Sequence, residues 1–277
     1  MCLTDQSLIE TNNCLVRTTF GDKQNSKFMR LTAIFMIVIG LIACKKEKKP
    51  DSLQIIVKAI EVHGGDKFLS STVSFDFRNK SYTVARSQEK YIYTRSFQDS
   101  SGFVQDSLVN SVEFTRHIDS ELQVTNKEWA DKYASSINSV LYFFQLPYLL
   151  RDPAVITTDR GTSQILDKVY QLVEVKFKQE NGGTDFDDIY MYWFDQQTGQ
   201  LDFFGYNYQV DGGGTRFRKA INRRTVNGIV IQDYINYRPK DKFPELTSLV
   251  TSYQNNELIK LSEIVNEEVI IRPYQGL

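Results

Sequence analysis

Asp188-Ile189-Tyr190-Met191-Tyr192-Trp193-Phe194-Asp195 and Leu201-Asp202-Phe203-Phe204-Gly205-Tyr206-Asn207-Tyr208-Gln209-Val210 are two aromatic stretches separated by Gln196-Gln197-Thr198-Gly199-Gln200. Period-2 runs broken by a short polar turn containing glycine predict an antiparallel hairpin. In strand parity Ile189, Met191 and Trp193 take one face, and Tyr190, Tyr192 and Phe194 the other. On the partner, Leu201, Phe203 and Gly205 share a parity opposite to that of Phe204, Tyr206 and Tyr208. A strand with one wet face alternates apolar and polar residues. This hairpin is apolar on both faces, so both must be covered, one by a helix and the other by more sheet or by a cavity that takes an apolar guest. A solid two-sided core and a lined cavity both satisfy the pattern. Tyrosine, an apolar body with a polar tip, suits an amphiphilic guest. The cavity version nominates Tyr91, Tyr93, Tyr190, Tyr192, Trp193, Phe194, Phe203, Phe204, Tyr206 and Tyr208 as lining, with Arg216 and Arg218 at a polar end.

Outward from the hairpin the chain is strand-rich. Strands are expected upstream at 73–77, 82–85, 90–95, 103–108, 111–118, 121–125 and 170–178, and downstream at 215–221, 229–237 and 258–271, the last in one or two pieces. The breaks at Asn79-Lys80, Gln88-Glu89 and Asp99-Ser100-Ser101-Gly102 are too short for parallel crossovers, so the pairing is antiparallel. Two helices interrupt this order. One runs from an Asp51 or Ser52 cap through Leu53, Ile56, Val57 and Ile60 to Gly64-Gly65. His63 lies in its last turn, where a cation complements the helix dipole. The other spans Lys127 to Phe144, with Trp129, Tyr133, Ile137, Val140, Leu141 and Phe144 forming a stripe that reads as a core face, packed across the sheet. Pro147 and Asp152-Pro153 end it.

The N-terminal part reads as an address. Leu31 to Ala43 is an apolar run of 13 residues, too short for a membrane-spanning helix of about 20 and right for a signal-peptide core. Arg30, Lys27 and Lys23 precede it. It ends in Leu41-Ile42-Ala43-Cys44, which resembles a bacterial lipobox. That resemblance implies acylation of Cys44, removal of residues 1–43, and anchoring through Cys44 as the new N-terminus. Met29 opens a shorter signal of the same kind, so residues 1–28 read as an over-long start. Residues 44–51, from Cys44 through Lys45-Lys46-Glu47-Lys48-Lys49-Pro50 to Asp51, form a solvated tether, and residues 52–277 a single domain. Lys45, not Asp, follows the cysteine, which by the known sorting signals implies the outer membrane, with the body in the periplasm.

Composition agrees with an exported binder. The full chain carries 33 basic and 34 acidic residues. Cleavage leaves 29 and 31, a charge of −2 with no basic surface for nucleic acid. Cys2 and Cys14 are lost with the signal, so the mature chain holds no free thiol and no disulfide. No G-x-S-x-G, H-E-x-x-H or C-x-x-C occurs. Besides His63 there is only His117. No catalytic residue, metal site or cofactor is expected. Asp185, Asp187 and Asp188 beside Gly182-Gly183 miss the calcium-loop spacing and read as an acidic turn. Gly212-Gly213-Gly214-Thr215-Arg216-Phe217-Arg218 lacks the helix that a phosphate loop needs, and reads as a hairpin loop with arginines alternating on the next strand.

Several stretches together resemble a family of uncharacterised lipoproteins from Bacteroidota-type bacteria: Ala59-Ile60-Glu61-Val62-His63-Gly64-Gly65, Asn138-Ser139-Val140-Leu141-Tyr142-Phe143 with Leu146-Pro147-Tyr148, Tyr190 to Asp195, Gly212 to Arg218, and Gln232-Asp233-Tyr234-Ile235-Asn236-Tyr237. That family brings no established activity. More distantly, a helix ending in Gly-Gly before a long antiparallel meander is similar to the LolA/LolB-like lipoprotein carrier fold. With that likeness the expected fold class is α+β: a large antiparallel sheet curled into an open half-barrel, the N-terminal and mid-chain helices packed on one face. The expected function is an outer-membrane lipoprotein that binds a lipid or other amphiphile without chemistry. The alternatives are a periplasmic hydrolase with paired carboxylates and Arg216 or Arg218, and a structural adaptor with an envelope protein partner.

Overall fold

The computed structural model describes residues 51–87, 90–179 and 188–274. Cys44, its tether up to Pro50, the Gln88-Glu89 turn and the acidic pair Asp185 and Asp187 lie outside the described residues.

Asp51 is the N-cap of α1, Ser52–Val62, and forms a reciprocal capping box with Gln54. The buried face of α1 is Ile55, Ile56, Ala59 and Ile60, while Leu53 and Val57 are exposed. The stripe is thus rotated from the expected one. A helix that is apolar nearly all round fits two faces, and only its docking selects between them. His63 is the C-cap, but it is no cation. It is buried, and burial lowers its pKa to about 4 despite the bond to the Ala59 carbonyl. That carbonyl can only accept, so the ring nitrogen Nδ1, 2.8 Å away, carries the proton of a neutral imidazole. Gly64 follows at φ +120°, and a Cβ there would stand 2.9 Å from the Ile229 Cα. The expected Gly-Gly stop is therefore also a close approach between the helix end and a strand.

Among the described residues fourteen strands follow, all antiparallel, in two seven-stranded ladders. The first is built from β1 (Ser71–Phe77), β2 (Lys80–Arg86), β3 (Tyr91–Asp99), β4 (Gly102–Val109), β5 (Glu113–Ile118) and β6 (Glu121–Leu122), with β14 (Glu267–Pro273) beside β1. The second runs from β7 (Val155–Ile165) through β8 (Lys168–Phe177), β9 (Ile189–Asp195), β10 (Leu201–Tyr208), β11 (Gly214–Val226) and β12 (Ile229–Arg238) to β13 (Ile259–Ile264). The expected curled, open antiparallel sheet is present, its ladder interrupted once, where the chain passes from β13 to β14. The Asn266 N–H donates to Asp233 Oδ1 at 2.9 Å there, and Arg224 pairs with the same carboxylate. Asn227 ties the β11–β12 turn to the Ile271 carbonyl on β14.

The second helix, α2, runs from Lys127 to Phe144 as expected, capped by Asn126 accepting from the Trp129 N–H. It packs on β3, β4 and β5. A buried triad holds it there. Asp106 accepts from both Arg95 and Arg116; Arg95 also donates to Ser136, and Arg116 lies 3.4 Å over the Tyr133 ring. Inner residues of both sheets join α1 and α2 in one core. Outside β9 and β10 a second core forms, covered by a short helix α3, Leu249–Gln254.

Two elements escape the sequence pattern. β7 is a solvent-facing edge with little apolar periodicity, and α3 is too short and too rich in β-branched residues to show a helical period. A third departure is a register shift between Leu201 and Phe203. It displaces Asp202 and turns Leu201 inward, with Tyr192 and Phe204, instead of outward with Phe203.

Candidate functional site: a cleft beneath the mid-chain helix

The inner face of β9 and β10 is filled for most of its length. Tyr192, Phe194 and Phe204 are fully buried, and their rings stack at about 6 Å between centroids. Tyr142 on α2 meets Tyr192 hydroxyl to hydroxyl at 3.5 Å, and burial pushes both phenols well above their ordinary pKa. The outer face is filled as well. Trp193 and Phe217 are fully buried beneath Leu249, and Phe203 stacks on Phe217 at 5.6 Å. Gly205 belongs to this side, because a Cβ there would stand 2.6 Å from Leu249 Cδ1. The glycine lets α3 lie against the strand.

Toward β11, β12 and β13 the packing opens into a cleft of about 330 Å³. One wall is the second half of α2, with Ser139, Val140, Phe143 and Phe144 at one-and-four spacing. The floor is Tyr206 of β10, Arg218 of β11, Tyr234 and Asn236 of β12, and Ile264 of β13. Phe77 and Arg78, at the β1–β2 turn, and Asn266, at the sheet crossing, complete the rim. Phe144 stacks on Phe75 at 3.9 Å, and Phe143 lies 5.2 Å from Tyr206. These ring contacts seat the helix wall against both sheets.

Arg218 is the unusual member. Its guanidinium lies 4.0 Å over the Phe143 ring, and Nη2 donates to the Tyr206 hydroxyl at 3.1 Å. It is 9% exposed, and Nε has no hydrogen-bond partner. No carboxylate pairs with it among the described residues, although the buried Arg95 and the half-buried Arg116 share Asp106. Asn236 sits directly across the strand from Arg218, and its Oδ1 is likewise buried without a partner. Among the described residues, no Asp or Glu lines the cleft. Burial holds the Tyr234 phenol up at about 12, so it stays neutral, accepting from Gln232 at 2.7 Å.

Of the residues nominated from sequence, Tyr206 and Arg218 line this cleft. Tyr190, Tyr192, Phe194 and Phe204 lie in the inner core, and Trp193 and Phe203 in the outer one. Tyr93 is buried in the first sheet, where its hydroxyl accepts from Arg86 and Gln145 and its pKa is pushed up to about 12, chiefly by burial. The Tyr91 ring lies tilted against it, with centroids 4.8 Å apart, and its hydroxyl bonds Ser111. Tyr208 lies under Arg216, whose guanidinium is 4.8 Å from its ring and donates to the Thr215 carbonyl. Phe77, Val140, Phe143, Phe144, Asn236 and Ile264 are lining residues that the sequence pattern does not nominate. The available signal is Phe143-Phe144 at the end of the α2 stripe, wider than a core face needs.

The family model DUF6503, described as a family of unknown function, matches residues 30–266, and the chain belongs to that family. No curated protein matches the sequence. Among solved structures, the chain is similar to a LolA superfamily protein from Nitrosomonas europaea, with 11% identity over 82% of this chain and 95% of that one, at a TM-score of 0.47. A DUF1329 family protein from Desulfovibrio piger gives 11% identity over 81% and 92%, at 0.46. An outer membrane lipoprotein-sorting protein domain from Vibrio parahaemolyticus gives 7% over 81% and 93%, at 0.36.

Proposed function

We propose that this member of the family is a membrane-anchored lipoprotein that holds a lipid or other amphiphile in the cleft beneath α2, without transforming it. The observation that carries this reading is an aromatic and aliphatic cleft left open beside an arginine that no carboxylate among the described residues neutralises. Its volume of about 330 Å³ is at the small end of small-molecule sites, which run roughly 300–1,000 Å³. Phe77, Val140, Phe143, Phe144 and Ile264 offer apolar area, and Tyr206, Tyr234 and Arg218 offer polar tips. A hydrolase with paired carboxylates finds no acid among the described residues of this lining. Acylation of Cys44 supplies the anchor, because two or more acyl chains hold a body to a bilayer that one holds only reversibly. Lys45 after that cysteine favours the outer membrane, with the body in the periplasm.

The test is displacement of a neutral fluorescent probe from the purified soluble body by single-chain amphiphiles. Phe143→Ala, which trims a ring from the cleft wall, is expected to weaken every such ligand about tenfold, the effect of losing roughly 1.4 kcal/mol of apolar burial. Absence of any binding by the wild-type body overturns the reading. So does unchanged affinity in Phe143→Ala. The anchor is tested separately: incorporation of labelled palmitate into the full-length protein should vanish in Cys44→Ser, and a native Cys44 found unacylated in exported protein would remove the anchor.

A further inference from the structure

We infer that the cleft selects an anionic amphiphile, whose head group is held by Arg218 and Asn236 while its tail lies along Phe143 and Phe144. This rests on the amphiphile-binding reading and names the ligand class. A buried guanidinium without a counter-ion is costly, and buried arginines are almost always paired. Here the chain itself shows how it satisfies an arginine when nothing else is to bind it: Arg95 and Arg116 share Asp106. Arg218 receives only a neutral hydroxyl and the faces of aromatic rings. Its Nε donor has no partner and is closed off from solvent, while the residue as a whole lines an open cleft.

Asn236 adds an acceptor to that donor. It is the cross-strand partner of Arg218, with Oδ1 unpartnered. The pair thus offers one spare charged donor and one spare acceptor on neighbouring strands. A carboxylate can accept from the donor only. Nε and Oδ1 are both shut off from solvent, so a ligand reaches them by turning the two side chains toward the cleft. A phosphate monoester in its singly protonated form then accepts from Nε and donates its remaining O–H to Oδ1, satisfying both. Arg78 stands on the rim as a second cation, stacked on Phe77 and with no acid among the described residues of the lining to neutralise it. The electrostatics of the mouth and of the floor therefore have the same sign. A neutral alcohol of equal chain length buries the same tail but leaves the guanidinium without an anion.

The experiment compares laurate, dodecyl phosphate and dodecanol as competitors of a neutral fluorescent probe, on the soluble body, at pH 6 and low salt. Both anions are expected to bind at least about tenfold more tightly than dodecanol, the size of one charge-assisted hydrogen bond in a desolvated site. A further advantage of dodecyl phosphate over laurate assigns the head group as a phosphate monoester, and equal affinity assigns it as a simple anion. Arg218→Met should bring all three to the dodecanol level, and Arg218→Lys, which keeps the charge but loses the Nε donor, should restore part of the preference. Asn236→Asp places a carboxylate opposite Arg218 and should abolish the preference in a side chain of nearly the same shape, which keeps the test alive if Arg218→Met fails to fold. Equal affinity of the wild type for the three competitors overturns the inference and leaves amphiphile binding intact. So does a preference that survives Asn236→Asp and Arg218→Met. Failure of all three to bind overturns both readings.

Discussion

The two faces of the β9–β10 hairpin are equally aromatic, yet they end differently. Outside, α3 lays Leu249 against Gly205 and covers Trp193, Phe203 and Phe217 completely enough that Trp193 and Phe217 are inaccessible. Inside, Tyr192, Phe194 and Phe204 are packed as tightly, but the row reaches Tyr206 and Arg218 and stops. Ring density does not separate core from cleft. Stacked rings fill space at interior density and leave no void of their own accord. The row ends at Arg218, a guanidinium buried to 9% exposure with no carboxylate partner among the described residues, and the cleft opens beside it.

The comparison can be broken most severely from the closed side. Trp193→Ala is expected to cost roughly 4 kcal/mol of stability, as large-to-small changes at buried aromatic sites do, and to leave amphiphile affinity unchanged per folded molecule. Denaturant unfolding with a parallel displacement titration checks it. A loss of affinity beyond the loss of folded protein would show that the outer face participates in binding.

Asp106→Asn attacks the seat of α2, and so the cleft wall from behind. It leaves Arg95 and Arg116 without their shared charge, and breaking a buried pair in this way costs about 3 kcal/mol or more. Because α2 carries Phe143 and Phe144, affinity for every amphiphile should fall together with stability. A variant with intact affinity would locate the support of the wall elsewhere.

His63 permits a reversible version of the same comparison. Its pKa is near 4 in the folded protein, against about 6.5 in an unfolded chain. Above pH 6.5 both states are neutral there, and stability is complete. As the pH falls from 6.5 toward 4 the unfolded chain binds a proton that the folded protein refuses, so stability declines, by up to about 3 kcal/mol at pH 4. His63→Gln should flatten that part of the pH–stability curve relative to wild type. Parallel curves for the two proteins would mean that the ring is accommodated as a cation.

Gly205→Ala is the mildest probe. The new methyl group presses on Leu249 Cδ1, and overpacking of this kind costs about 1 kcal/mol when the neighbour can turn aside. The expected result is a small drop in thermal midpoint and a lower amide-exchange protection in α3, with no change in the cleft.

Much of the fold can be read without coordinates, because strands joined by short turns have only antiparallel solutions and the α2 stripe has an unambiguous period. The α1 face cannot, because Leu53, Ile55, Ile56 and Val57 allow two orientations. Nor can α3, whose six residues make less than two helical turns and take their order from the strand beneath. The candidate site is legible in part. Arg218 stands out for its place after the glycine run, Tyr206 for its place in the aromatic row and Phe143 for widening the end of the α2 stripe, whereas Asn236 has no local mark.

The amino-acid order by itself determined the antiparallel meander, the two helices that cover it, the apolar character of both hairpin faces and the lipobox-like ending at Cys44. All of these depend on neighbours a few residues apart, where periodicity and turn chemistry act. Only the tertiary structure decided which arginine goes without a carboxylate. Arg95 and Arg218 look alike along the chain. The difference is that β4 brings Asp106 to one, while β12 brings Asn236 to the other, and strand neighbours meet through pairing register, over distances that local pattern does not reach.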